Sequence, residues 1–146
     1  MTGRETNQAE DRLILRSRLS EIAQLPAWIE SLASRHAIPE NVEFAINLCL
    51  EEAVSNVILH GYGEGTGGAV IVSFTMPGPD SFIFIIEDEA QHFNPLNAPA
   101  PDLREKVRVG GHGIHFIRQF ADNLEYELTP TGNRLRIAFS AASSEL

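Results

Sequence analysis

Two polar residues, Glu52 and Asn56, interrupt the apolar side of what the sequence predicts to be a long amphipathic helix. At about 100° per residue, one arc of this helix is apolar: Val42, Ala45, Cys49 and Ala53. The opposite stripe is polar and suited to water: Glu43, Asn47, Glu51 and Ser55. Glu52 and Asn56 belong to the apolar arc and, four residues apart, can reach one ligand. A buried carboxylate is costly unless it contacts a metal ion, a water or a substrate proton. Glu52 and Asn56 therefore indicate either a ligand-binding or catalytic site, or two buried side chains that bond to backbone groups.

Size and charge restrict the classes of protein to which this chain can belong. Its 146 residues are 43% hydrophobic, which is enough for one globular domain with its own core. Twenty acidic against eleven basic side chains give a net charge of −9, which repels a phosphate backbone and argues against a direct nucleic-acid partner. A single cysteine permits no disulfide within the chain, and no segment is apolar for the roughly 18 residues of a membrane span. We therefore expect a cytoplasmic protein without membrane contact.

Hydrophobic periodicity and turn residues predict the elements along the chain. In order they are a strand at 13–19, a helix at 20–36, a helix at 39–60, strands at 69–76 and 81–88 around a turn at 77–80, and a hairpin of strands at 123–128 and 134–139. Pro26 indicates either a kink or a later start of the first helix. Gly61 is expected to end the second helix. In the final hairpin, Leu124, Tyr126 and Leu128 are expected to face inward.

The strand at 81–88 ends in a carboxylate. Residues 82–86 are apolar at every position, which predicts a central strand covered on both faces. Alternation places Asp88 on the same face as Phe82, Phe84 and Ile86. Asp88 therefore lies at the mouth of an apolar surface, where it could accept a hydrogen bond from the exocyclic amine of a base.

A long irregular connection follows and leads into a glycine-rich helix start. Residues 90–109 lack periodicity and contain three prolines, which is typical of a functional lid or binding loop. Gly110, Gly111 and Gly113 then precede a short helix, whose free N–H groups suit an anion such as a phosphate. Asn56 can supply an oxygen to Mg²⁺, and Glu52 is placed to take a proton from an attacking hydroxyl or water.

These segments resemble, in order and spacing, the N, G1 and G2 boxes of the GHKL ATPases: Glu52-x-x-x-Asn56, Asp88 with Phe93-Asn94-Pro95, and Gly110-Gly111-His112-Gly113-Ile114. Within that superfamily, residues 52–61 and 93–96 are most similar to RsbW-type anti-sigma-factor serine kinases. The resemblance covers about residues 11–140 and implies one α+β domain of the Bergerat, histidine-kinase-like type. That fold is a two-layer α/β sandwich with helices on one face of a mixed, mostly antiparallel sheet. The remaining segments would be a flexible N-terminus at 1–10, an ATP lid at about 94–112 and a loose C-terminus at 141–146.

The resemblance also implies ATP and Mg²⁺ as cofactors and gives roles to individual residues. Glu52 would be the catalytic base, Asn56 the Mg²⁺ ligand and Asp88 the contact to adenine. The other nucleotide-binding positions would be Ala90, Phe93, Arg108, Gly110, Gly111, Gly113 and Ile114. Proteins of this type phosphorylate a serine of a small, STAS-like anti-sigma-antagonist protein, bind a sigma factor in alternation, and are usually homodimers. We expect these partners and a homodimer here.

Two departures from the family pattern leave other functions open. Ala90 stands where the G1 box has glycine, and the final strand, at 133–137, lacks the threonine that many relatives place near adenine. The alternative is a non-catalytic module that binds a nucleotide or a protein partner and transfers no phosphate. A detached histidine-kinase catalytic domain is disfavoured, since the chain leaves no room for a dimerisation and phosphoacceptor helix pair.

Overall fold

The computed structural model describes residues 11–63, 65–90 and 113–141. Within them, five strands form one antiparallel sheet in the order β1-β2-β3-β5-β4. The strands are β1 Arg12–Arg16, β2 Ala69–Gly78, β3 Ser81–Asp88, β4 Asn123–Leu128 and β5 Asn133–Ser140. The α-helices of the described ranges are α1 Leu25–His36, α2 Glu40–Asn56 and α3 Gly113–Phe120. The predicted α+β fold is confirmed, although the described strands pair only antiparallel. The predicted flexible terminus at 1–10 and the predicted lid at 94–112 lie outside the described residues.

The first helix begins later than Ser20. Leu19–Gln24 forms a 3₁₀ segment, and α1 begins at Leu25 with Pro26 in its first turn. Proline is tolerated there because the first N–H groups of a helix have no partner within it. Of the two alternatives for Pro26, the later start is therefore confirmed. No helix in the described ranges is long and apolar enough to span a membrane.

Helix α2 is the central helix of its layer and packs against both α1 and α3. Because it has a neighbour on either side, it buries more of its circumference than an amphipathic surface helix does. Ser55, which was predicted to face water, is buried and donates from its hydroxyl to the Glu52 carbonyl oxygen at 3.0 Å. That prediction is wrong, whereas the inward position of Asn56 is confirmed.

The core lies between the helices and one face of the sheet. Its centre is Phe84 on β3, whose ring contacts the rings of Trp28, Phe74 and Phe139 at centroid distances of 6.0, 5.1 and 6.0 Å. The predicted hairpin of β2 and β3 and the central place of β3 are both observed. The described helices cover only one face of β3, and Leu128 is 55% exposed instead of inward. The opposite face of the sheet is open in the described part of the chain.

Candidate nucleotide-binding site

A pocket lies where α2, the carboxyl end of β3 and strands β4 and β5 meet. Asn56 and Asp88, which are 32 residues apart in the sequence, both line it. The other lining residues are Ala53, Val57, Gly61, Ile86, Ile117, Tyr126, Asn133 and Leu135. The walls are thus mostly apolar, with a few polar groups at one end, as in small-molecule sites. The enclosed space is about 20 Å³, room for a single water, so a purine requires the walls to separate.

One wall is made by a widened helical turn that continues α2. Val57–Tyr62 is π-helical, and its last hydrogen bond runs from the Gly63 N–H to the Ile58 carbonyl at 2.8 Å. Gly63, with φ of 97°, ends the helix instead of Gly61, since glycine adopts this backbone conformation without strain. Gly61 lies inside the turn and lines the pocket. Turns of this kind are frequent at functional sites.

Asp88 is buried at the end of β3, as the alternation of the strand predicted. Its Oδ1 accepts hydrogen bonds from the Ala90 backbone N–H at 2.9 Å and from Asn133 Nδ2 at 2.8 Å. Burial raises the pKa of the Asp88 carboxyl, and these two hydrogen bonds act in the opposite direction because they favour the ionised form. The contacts from described residues thus all engage Oδ1, which leaves Oδ2 to receive a donor from a ligand.

Ala90, the departure from the G1 pattern, is buried directly after Asp88. It is not among the residues that line the pocket. A Cβ added to Gly61 would come within 3.1 Å of the Ala90 Cβ, so the methyl group of Ala90 occupies space that the glycine leaves free. The methyl group of Ala90 is thus accommodated beside Gly61 and outside the pocket lining.

Tyr62 holds the same turn from the side of the helix. Its hydroxyl donates to the Ala69 carbonyl at 2.8 Å and accepts from the Glu89 backbone N–H at 2.7 Å. Burial raises the pKa of the Tyr62 hydroxyl, and it therefore stays protonated at neutral pH. Tyr62 connects the helix end, the start of β2 and the Asp88 turn. This role could not be predicted from the sequence, because the three segments meet only in the folded chain.

Asn56 is 5% exposed, and its side-chain Oδ1 has no hydrogen-bond partner among the described residues. A buried amide oxygen without a donor is costly, and it is also the type of ligand that Mg²⁺ takes from proteins. The residue therefore fits the predicted Mg²⁺ contact. Glu52 lies one helical turn earlier and is half-buried, but it does not line the pocket.

Asn133 and Tyr126 are pocket residues that were not predicted as site residues. Asn133 is buried, donates to Asp88 and accepts from the Tyr126 hydroxyl. The alternation of β5 could have indicated Asn133, since it shares a face with Leu135, but only the pairing of β5 with β3 places it beside Asp88. Of the other predicted residues, Gly113 begins α3 and Ile114 follows it. The remainder lie outside the described residues: Phe93, Arg108, Gly110 and Gly111.

The chain belongs to the histidine kinase-like ATPase domain family, which matches residues 15–139. Among curated proteins, it is similar to the serine/threonine-protein kinase BtrW of Bordetella bronchiseptica, at 25% identity over 118 residues, 79% of this chain and 82% of that protein. It is also similar to the anti-sigma F factor of Clostridium novyi, at 32% identity over 90 residues, 58% of this chain and 60% of that protein. The anti-sigma F factor of Priestia megaterium is 30% identical over 91 residues, which cover 58% of this chain and 59% of that protein. The similarity to RsbW-type proteins predicted from the motifs is thereby confirmed.

Solved structures agree on the fold. The histidine kinase domain of the Erythrobacter litoralis EL346 blue-light activated histidine kinase superposes with a TM-score of 0.53 at 16% identity, covering 86% of this chain and 61% of that chain. A second structure of that kinase gives a TM-score of 0.58 at 15% identity and covers 83% of this chain and 43% of that chain. At these identities the likeness supports the architecture alone.

Proposed function

We propose that this protein is an ATP-dependent serine kinase that acts as a partner-switch regulator. In this proposal it transfers the γ-phosphate of Mg²⁺-ATP to a serine of a small, STAS-like anti-sigma-antagonist protein and binds a sigma factor in alternation. The observation that carries the proposal is the juxtaposition of the buried Asp88 carboxylate and the unpartnered Asn56 oxygen in one apolar pocket. The printed names of the relatives, a serine/threonine-protein kinase and two anti-sigma F factors, support this class of activity.

Asp88 is proposed to select the base. An ionised carboxylate accepts hydrogen bonds only, so its Oδ2 can receive the exocyclic amine of adenine. The apolar walls, among them Ile86, Ile117 and Leu135, suit the two faces of a purine ring. The net charge of −9 works against a nucleotide triphosphate, so binding relies on Mg²⁺ and on local donors.

Glu52 and Asn56 are proposed to act at the phosphate end. Asn56 Oδ1 would hold Mg²⁺, which neutralises phosphate charge when bound. Glu52, half-buried one turn away on the same helix, would accept the proton of the serine hydroxyl. Phosphoryl transfer depends mainly on positioning and charge stabilisation, so a small set of residues is sufficient. The predicted contributions of Arg108, Gly110 and Gly111 remain part of the proposal.

A non-catalytic binding module is the second candidate. The narrow pocket, with room for about one water, favours it, because a domain that no longer binds ATP would keep its fold while its pocket closed. The two candidates differ in whether phosphate appears on a partner protein, since the module transfers none whether or not it binds ATP.

The proposal is tested by phosphate transfer from radiolabelled ATP to purified STAS-domain proteins of the source organism, together with calorimetric ATP titration. Wild-type protein is expected to bind ATP with Mg²⁺ and to label one such protein on serine. Glu52→Gln is expected to keep ATP binding and to lose at least about 99% of the transfer. The matched control is Glu51→Gln, an exposed neighbour that should leave both unchanged. Binding without transfer to any of these proteins would support the module, and no binding at millimolar ATP in folded protein would refute the kinase.

We also propose that the protein is a homodimer that pairs through the open face of its sheet. The pairing register places five residues of this face in one row across the strands: Arg12, Ser73, Ile85, Arg136 and Glu125. A two-fold axis along β3 would lay Ile85 on its copy and Arg12 on Glu125 of the other protomer. Ile14, 52% exposed on the same face, would be covered as well. Leu15 is buried in the core and Trp28 is partly buried against it, so neither belongs to this face.

The dimer predicts which cysteine variants cross-link. Ile85→Cys, on the axis, should form a covalent dimer with a short bismaleimide. Thr75→Cys, on the same face but on β2, should react far less, because the axis carries it about 10 Å to one side of its copy. The native Cys49 is buried, and burial raises the pKa of its thiol to about 12, so it contributes no background. A monomeric mass of the wild-type protein at about 100 µM, which lies well above the Kd of a stable dimer, would refute this arrangement.

A further inference from the structure

We infer that Tyr126 and Asn133 form a hydrogen-bonded relay that fixes Asp88 as a hydrogen-bond acceptor and thereby makes the site select a 6-amino purine over a 6-oxo purine. The inference rests on the proposed nucleotide site and concerns the residues that determine its specificity. Both residues are positioning residues, since they act through Asp88.

The three side chains form a continuous chain of hydrogen bonds across the sheet. Tyr126 on β4 donates from its hydroxyl to Asn133 Oδ1, and Asn133 on β5 donates from Nδ2 to Asp88 Oδ1 at 2.8 Å. The same Nδ2 lies 3.4 Å from the Ala90 carbonyl oxygen. Asn133 is 6% exposed, so it is held inside the protein and not on a mobile surface. All three residues line the pocket.

The direction of the relay follows from its chemistry. An amide has one end that accepts and one end that donates, and a phenol can donate to the accepting end. Because Tyr126 donates to Asn133 Oδ1, the amide group presents its N–H to Asp88. The opposite amide orientation would place two acceptor oxygens 2.8 Å apart, at the distance now spanned by the hydrogen bond. The relay therefore favours an ionised Asp88, which can accept the 6-amino group of adenine but repels the 6-oxo group of guanine.

The relay is a principal stabiliser of the negative charge of Asp88, as the charged and titratable groups around this residue indicate. From the described elements that surround it, the titratable groups that face Asp88 are the hydroxyls of Tyr62 and Tyr126 and the neighbouring carboxylate of Glu89. Arg134 lies on the other face of the sheet, where its Nε bonds Glu87 at 2.8 Å. Burial raises the pKa of Asp88, and the Asn133 amide opposes that rise. Removing the amide should raise the pKa of Asp88 further, so that it binds a proton at higher pH.

The test compares Asn133→Leu and Tyr126→Phe with wild type. Mg²⁺-ATP and Mg²⁺-GTP affinities are measured by calorimetry from pH 5.5 to 8.5, and the Asp88 carboxyl carbon is titrated by NMR without nucleotide. Asn133→Leu should lower the ratio of ATP to GTP affinity by at least about tenfold. The pH below which ATP affinity is lost should also be about one pH unit higher in this variant than in the wild type. Tyr126→Phe should change both quantities in the same direction by less, and Asn47→Leu, the same substitution on α2, should change neither.

The outcomes separate this inference from the kinase proposal. A fall in affinity that is equal for ATP and GTP and equal at every pH would mean that Asn133 is merely structural, and would overturn the relay while leaving the nucleotide site intact. If the wild-type protein binds neither nucleotide, the kinase proposal fails and the Asp88 titration alone decides the relay. An upward shift of that titration in Asn133→Leu supports the relay, and an unchanged titration overturns it.

Discussion

Replacing Gly132 with alanine is expected to destabilise the protein by about 2–3 kcal/mol and to abolish measurable ATP binding. A Cβ at this position would lie 1.9 Å from the Asp88 carbonyl oxygen and 2.6 Å from the Glu89 Cα, far inside van der Waals contact with backbone. The turn cannot retreat easily, because the Thr129 hydroxyl accepts from the Gly132 N–H at 2.8 Å and the Thr129 N–H donates to the Gly132 carbonyl at 3.0 Å. The added methyl group must therefore displace the Asp88 turn, which carries the proposed base contact.

Chemical denaturation and ATP calorimetry measure the two effects. Gly78→Ala is the matched control, since it makes the same change in another hairpin, where an added Cβ meets nothing within 4 Å. It should alter the free energy of unfolding by no more than about 0.5 kcal/mol and leave ATP binding intact. Equal stability and equal ATP affinity in the two variants would show that the turn at Gly132 is not packed against Asp88 as described.

Local sequence pattern was sufficient to place Asp88 and Asn56. The alternation of β3 and the helical spacing of α2 each depend on neighbouring residues only, so the side of the element that each residue faces could be predicted. Ser55 was misplaced for a reason that lies outside its own helix. Helix α2 packs against both α1 and α3, and its polar stripe is buried at Ser55 while Glu51, one turn earlier on the same stripe, stays exposed.

The partners of Asp88 could not be predicted in the same way. Asn133 lies 45 residues away, and it meets Asp88 only because β5 pairs with β3 in the register that sets the two residues opposite each other. A register shift of one residue would turn Asn133 to the other face of the sheet. Tyr62 and Gly61 reach the same turn through a π-helical segment, which has no sequence signature. The inward positions of Asp88 and Asn56 could thus be predicted from their own elements, whereas the pocket positions of Asn133 and Tyr126 depended on tertiary structure.

Asn56→Leu is expected to change stability and activity in opposite directions. Leucine has nearly the shape of asparagine and removes a buried oxygen that has no partner among the described residues, so the free energy of unfolding should rise by about 1 kcal/mol. Phosphate transfer should fall at least about a hundredfold, and the difference between ATP affinities with and without Mg²⁺ should disappear.

Asn47→Leu is the matched control on the same helix, where the Asn47 side chain already donates to the Glu43 carbonyl at 3.1 Å. This substitution should not stabilise the protein and should leave the Mg²⁺ dependence unchanged. Thermal unfolding and calorimetry with and without Mg²⁺ provide both measurements.

A destabilised Asn56→Leu protein would mean that the Asn56 side chain supports the fold, in which case its unpartnered oxygen would not indicate a metal ligand. A stabilised variant that retains Mg²⁺-dependent ATP binding would assign the metal to another residue. Gain of stability with loss of Mg²⁺ dependence would identify Asn56 as a residue kept for binding at a cost to the fold, which is the pattern expected of a functional site.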